Sequence, residues 1–246
     1  LPKNMKKIIP LGILALPALL AAQRTANFTG GIGTTQTDQF TGTSGDGWSS
    51  PWNSSFSTSD VLTADQINGG NEYLSLTADG STSSIGRTYD GVNTMSPHSV
   101  SFDIRIDSSV ADFVAGSSNI EINGGFTWYL GLNFSDLNWY IQNPSQVDTG
   151  ISLQQGVVYS FDFDVDPLAG LYSGTLTDGT DTFEFNDFGF LGSPPRAVEE
   201  INFELRGGNA NPLTASIDNI SIVPEPSMFL LPALAFIFAL TRRHRG

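Results

Sequence analysis

The groups able to do chemistry in this chain are few, and carboxylates dominate them. Glu200 and Glu204, in Glu200-Ile-Asn-Phe-Glu204, stand four residues apart; on an extended strand alternate residues share a face, so both would project to the same side. Two carboxylates can hydrolyse a glycosidic bond, and the retaining reaction needs them about 5–5.5 Å apart. Four strand residues separate the backbones by about 13 Å, so the side chains would have to converge. The plainer account is a solvated strand face opposite Ile201, Phe203 and Leu205. Acidic residues also recur as Asp162, Asp164 and Asp166 on one strand face and as Asp178 and Asp181 in a turn. They are the candidates for one structural calcium, although calcium wants about six to eight converging oxygens and a strand spreads its carboxylates. No other cofactor is expected. His98 is the one histidine outside the terminal segments, too little for a Ser-His-Asp triad or a His-rich metal site. Cysteine is absent, which removes disulfides, thiolate nucleophiles and Cys-based zinc or iron–sulfur sites. Tyr129, Trp139 and Tyr140 form a candidate glycan platform, where flat rings stack on sugar C–H faces. Tyr129 falls on the face opposite Trp128, Leu130 and Leu132.

The elements that must position these groups read as strands. Val100, Phe102, Ile104 and Ile106 alternate with polar neighbours, as do Phe126, Trp128, Leu130, Leu132 and Phe134, giving one apolar and one wet face. Trp139 and Ile141 continue after a turn at Ser135-Asp136, which predicts a hairpin. Val157 to Val165 alternates again and ends at Asp166-Pro167, and Thr177-Asp178-Gly179 joins two further runs as a hairpin turn. Ile201 to Leu205 and Ile217 to Ile222 complete the set. Eight or more strands without a long helix predict one all-β domain, a single antiparallel β-sandwich of the jelly-roll kind. Its expected span is 61–223, preceded by a Gly/Ser/Thr-rich lead-in at 23–60 whose Trp48 and Trp52 should pack on the sandwich.

Charge narrows the partners. Outside the terminal segments only Arg24, Arg87, Arg105, Arg196 and Arg206 oppose 24 of the 25 Asp and Glu, all but Glu225, leaving the body at −19. Such a surface repels phosphate backbones, so nucleic acid is excluded as a partner, while divalent cations and neutral sugars are compatible.

The two ends carry an address. Met5-Lys-Lys followed by an apolar run from Ile8 to Leu20 and by Ala21-Ala22-Gln23 has the layout of a signal peptide, expected at 1–22 and read by the Sec translocon. At the other end Val223-Pro-Glu-Pro leads into an uncharged run from Met228 to Leu240, closed by Arg242, Arg243 and Arg245. That order predicts a transmembrane helix with the arginines as stop-transfer element on the cytoplasmic side and the body outside.

Pro224-Glu225-Pro226, the short apolar segment and the terminal arginines resemble the PEP-CTERM sorting signal of Gram-negative, biofilm-forming bacteria. The resemblance covers 224–246. It implies recognition by an exosortase at Pro224, Glu225 and Pro226, an inner-membrane-anchored intermediate, and delivery to the cell surface or extracellular matrix. The runs from Val157 to Gly179 and Ile217 to Ile220 loosely resemble concanavalin A-like and laminin-G-like jelly rolls, which implies a lean toward extracellular polysaccharide as a partner. Glu200-Ile-Asn-Phe-Glu204 resembles the Glu-x-Asp-x-Glu strand of retaining β-glucanases on that fold, but Asn202 stands where that family has its central Asp. The expectation is therefore a non-enzymatic, surface-sorted sandwich, with a glycan-active hydrolase using Glu200 and Glu204 as the alternative.

Overall fold

Alternating burial along each expected run sorts the chain into strands with one dry and one wet face. The computed structural model describes residues 23–26, 28, 52–55, 58–62, 67, 73–80, 82–88, 95–114, 119–132, 136–198, 200–207 and 212–225. The expected signal segment, Trp48, Phe134, Pro226, the apolar tail and Arg242, Arg243 and Arg245 lie outside the described residues. Among the described residues no helix is long and apolar enough to cross a membrane.

Among the described residues fifteen strands and one short helix follow in chain order: β1 (Arg24–Ala26), β2 (Asn53–Ser55), β3 (Thr58–Leu62), β4 (Tyr73–Ala78), β5 (Thr82–Thr88), β6 (His98–Ile106), α1 (Val110–Val114), β7 (Asn119–Asn123), β8 (Tyr129–Leu132), β9 (Asn138–Asn143), β10 (Ser145–Ser152), β11 (Val158–Asp166), β12 (Leu171–Thr177), β13 (Thr182–Gly189), β14 (Glu200–Arg206) and β15 (Leu213–Pro224). They form two sheets. The first runs β13-β12-β11-β6-β15-β4-β3, with β1 on β15; the second runs β10-β9-β8-β7-β14-β5-β2. β15 accommodates both β4 and β1 because β4 pairs with Leu213 to Ile217 and β1 with Ile220 to Ile222. All pairings are antiparallel, so the expected all-β jelly-roll sandwich is the observed fold.

Aromatic rings join the sheets. Phe102 of β6 meets Phe203 of β14 edge-on at 5.2 Å, Trp128 meets Phe163 at 4.9 Å, and Trp139 meets Phe161 at 5.3 Å. Such pairs add about 0.5–1.5 kcal/mol each beyond the area they bury. Tyr159 and Tyr172 keep their hydroxyls satisfied from within the core. Tyr159 Oη donates to the Ser152 carbonyl at 2.9 Å, and Tyr172 Oη, on the first sheet, donates to the Gln142 carbonyl on the second.

Several expectations change in detail. Phe126 does not open a long strand: it is 69% exposed in the turn that precedes β8, because Gly125 takes a positive φ of 73° and Thr127 Oγ1 closes the turn on the Gly124 carbonyl at 2.5 Å. Ile217 and Ile220 both face the core despite their odd spacing, since Asn219 at φ 56° makes a bulge between Asp218 and Ser221 and Asn219 Nδ2 donates to Asp103. The lead-in contributes β1, β2 and most of β3, and Trp52 is buried against Phe28 at 5.7 Å with the Arg87 guanidinium over its ring. β15 runs one residue past 223: Pro224 is buried opposite His98, and the Glu225 amide donates to the Pro97 carbonyl at 3.0 Å.

Candidate functional site

The outer face of the second sheet is assembled by strand parity. On β14, Ile201, Phe203 and Leu205 are buried, which turns Glu200, Asn202, Glu204 and Arg206 outward. On β7, Ile120 and Ile122 go in, and Glu121 and Asn123 share the outward face with Asn119. Register then places Glu204 opposite Glu121 and Asn202 opposite Asn123. On β8 and β9, Leu130 opposes Ile141 inside while Gly131 opposes Tyr140 outside. One row across the face therefore reads Glu204, Glu121, Gly131, Tyr140, Asp148.

Glu121 is the best-held carboxylate in this row. Arg206 Nη2 lies 3.2 Å from its Oε2, Asn119 Nδ2 donates to its Oε1, and the Tyr129 hydroxyl is bonded to it as well. Arg206 Nε donates at the same time to Glu204, so one guanidinium bridges two carboxylates that would otherwise stand as like charges across a strand pair. Burial, followed by the bond to Glu121, pushes the Tyr129 hydroxyl far above its ordinary range, and burial raises Tyr140 too. Both phenols are donors at any pH the protein meets. Their rings stack at 6.0 Å with planes 20° apart. Gly131 makes room for Tyr140: a Cβ there would fall 2.7 Å from the Tyr140 Oη and 2.8 Å from the Ile120 carbonyl.

At the opposite end of β14 the face runs into an open depression of about 170 Å³ lined by Gly124, Gly125, Phe126, Arg196, Ala197 and Glu200. The Arg196 guanidinium lies 5.1 Å from the centre of the Phe126 ring. The walls are tied together by backbone: Leu191 N donates to the Thr127 carbonyl, Gly192 N to the Phe126 carbonyl and Arg196 N to the Pro167 carbonyl, at 3.0–3.1 Å.

Of the expected platform residues, Tyr129 and Tyr140 stack together on the outer side of the second sheet, where Tyr129 is half-buried and Tyr140 is only 4% exposed. Trp139 does not join them, because its neighbour in sequence faces the opposite way; Trp139 is fully buried between the sheets. Glu200 and Glu204 share the face but remain four strand positions apart, and the carboxylate beside Glu204 is Glu121, which the sequence reading missed. Its signal was there in Asn119-Ile-Glu-Ile-Asn123, a strict polar–apolar alternation. Asp162 and Asp164 sit exposed on the first sheet, with Asp164 accepting from Ser99 Oγ at 2.6 Å. Asp166 and Asp178 close turns on backbone amides, which holds the Asp178 carboxyl below its usual range. Among the described residues no group of three or more His, Cys, Asp or Glu gathers to hold a metal ion.

The fold has counterparts among solved structures. The catalytic domain of a glycoside hydrolase family 131 protein from Coprinopsis cinerea superposes with a TM-score of 0.57 at 14% identity, over 82% of this chain and 95% of that one. A sialidase matches with a TM-score of 0.53 at 13% identity, over 83% of this chain but only 19% of that one. The chain shares their jelly-roll architecture. At these identities the likeness is one of fold. No family model and no curated protein matches the chain.

Proposed function

We propose that this protein is an exported, non-enzymatic β-sandwich of the bacterial envelope or extracellular matrix, and that the outer face of its second sheet binds extracellular polysaccharide. The observation that carries the reading is the row Glu204, Glu121, Gly131, Tyr140, with Tyr129 stacked beside it. Fixed carboxylate acceptors, phenol and guanidinium donors and aromatic rings on one face are the chemistry that takes hold of sugar hydroxyls and C–H faces. Export by the Sec translocon, membrane anchoring and exosortase processing at Pro224, Glu225 and Pro226 rest on the terminal sequences. The fold similarity to a glycoside hydrolase domain and a sialidase supports the direction toward glycans.

Hydrolysis by Glu200 and Glu204 is the alternative, and the strand geometry weighs against it: about 13 Å separates the backbones, Asn202 stands between them, and Arg206 is clamped on Glu204. The test is retention of the full-length chain, kept in detergent, on immobilised neutral β-glucan, with the eluate assayed for released sugar. Retention that Tyr129→Ala weakens, without sugar release, is expected. Sugar release abolished by Glu204→Gln would establish the hydrolase instead, and absence of retention on any polysaccharide would leave a purely structural module.

A further inference from the structure

Phe126 is the one aromatic ring among the described residues that the fold displays openly to solvent, and it does so on a braced loop. Its exposure is 69%, while its carbonyl accepts from Gly192 and the flanking Thr127 carbonyl accepts from Leu191. Leaving a phenyl ring in water forgoes the free energy of burying it, a penalty that a ligand covering the ring would remove. Beside it stands Arg196. Arg105 and Arg206 both make ion pairs, whereas Arg196 makes none with any described residue and lies against the Phe126 ring. The third wall is Glu200. Its Oε1 lies 3.6 Å from where a Cβ on Gly125 would be, and the positive φ of 73° restricts Gly125 to a residue that leaves this space open.

We propose that the depression between Phe126, Arg196 and Glu200 is the end subsite of the second sheet's outer face, and that it takes one neutral hexopyranose unit of a polysaccharide chain. The inference rests on the glycan reading of that face and names its ligand class. Arg196 offers a fork of N–H donors, Glu200 offers acceptor oxygens only, and Phe126 offers a ring face. Two adjacent hydroxyls satisfy the first two groups while the C–H side of the same sugar ring covers the third. A uronate or other acidic sugar fits worse, because its carboxylate would meet Arg196 with Glu200 alongside, on a body carrying −19. The subsite also lies at a definite distance from the tyrosine end. The row that holds Tyr140 crosses β14 at Glu204, four positions from Glu200 or about 13 Å along the strand, so only a ligand of more than one sugar unit engages both.

The test is calorimetric titration of the full-length chain in detergent with cello- and laminari-oligosaccharides of increasing length, and with oligogalacturonates of matching length. Affinity is expected to climb with the length of a neutral oligosaccharide. Phe126→Ala and Arg196→Met should each erase the final increment, about tenfold for the longest ligand, leave the shortest unchanged, and leave the thermal midpoint where it was. If both variants bind the longest neutral ligand as the native chain does, the subsite is overturned while the glycan face stands. Preference for oligogalacturonate that is lost in Arg196→Met overturns the neutral assignment. Failure of every neutral oligosaccharide to bind overturns the face and the subsite together.

Discussion

Replacing Arg206 by Ala should destabilise the protein, and added salt should relieve the damage. Arg206 bridges Glu121 and Glu204, which face each other on β7 and β14 with Cβ atoms about 5 Å apart. Without the guanidinium, two like charges at that spacing repel by about 3 kcal/mol at an effective dielectric constant of about 20. The Arg206 side chain is 47% exposed and the carboxylates are 16% and 19% exposed, so solvent and salt reduce this to about 1–2 kcal/mol. For a domain of this size that is a fall of about 3–6 °C in thermal midpoint. The assay is thermal melting of native and variant chains followed by far-ultraviolet dichroism at low and at high ionic strength. A deficit at low ionic strength that shrinks with added salt is expected. An equal deficit under all conditions would mean that Arg206 acts by packing, and the charge argument would be refuted.

Phe203→Ala removes the ring that meets Phe102 across the sheets and should cost about 3–5 kcal/mol, read as a lower denaturant midpoint. Gly131→Ala should lose oligosaccharide affinity and about 1–3 kcal/mol of stability, since the new methyl meets both the Tyr140 hydroxyl and the Ile120 backbone; unchanged tyrosine fluorescence would contradict this. Burial lowers the His98 pKa below 6.5, so the unfolded chain binds a proton first and stability should decline as pH falls below about 6.5. His98→Gln should flatten that decline in pH-dependent melts. Asp107, raised by burial, works in the opposite sense at lower pH, because there the folded chain takes up its proton first.

Much of the architecture was legible because the strands obey a period of two. Phe102, Phe161 and Phe203 were placed inside by parity alone, and the turn at Asp178-Gly179 announced its hairpin. Parity failed where the backbone departs from it. Nothing in the alternation of Phe126 with Trp128 reveals that Gly125 at positive φ ends the pattern and turns Phe126 out to solvent. The same rule, applied consistently, separates Trp139 from Tyr140, which a grouping by aromatic character had put together. The site was half legible: Glu204 and Tyr129 could be set on outward faces, but their meeting through Glu121 depends on register between β14, β7 and β8. Register is set by pairing across long sequence separations, which local periodicity does not encode.

The seam between β15 and β6 grades the places at which the body can be trimmed. Cutting ahead of Pro224 deletes the last rung opposite His98 and leaves the Pro97 carbonyl without the Glu225 amide, a loss of about 1 kcal/mol at that corner. The Val223–Pro224 bond is thus held within the β15–β6 ladder, and a protease has to peel this rung from β6 before it can cut there.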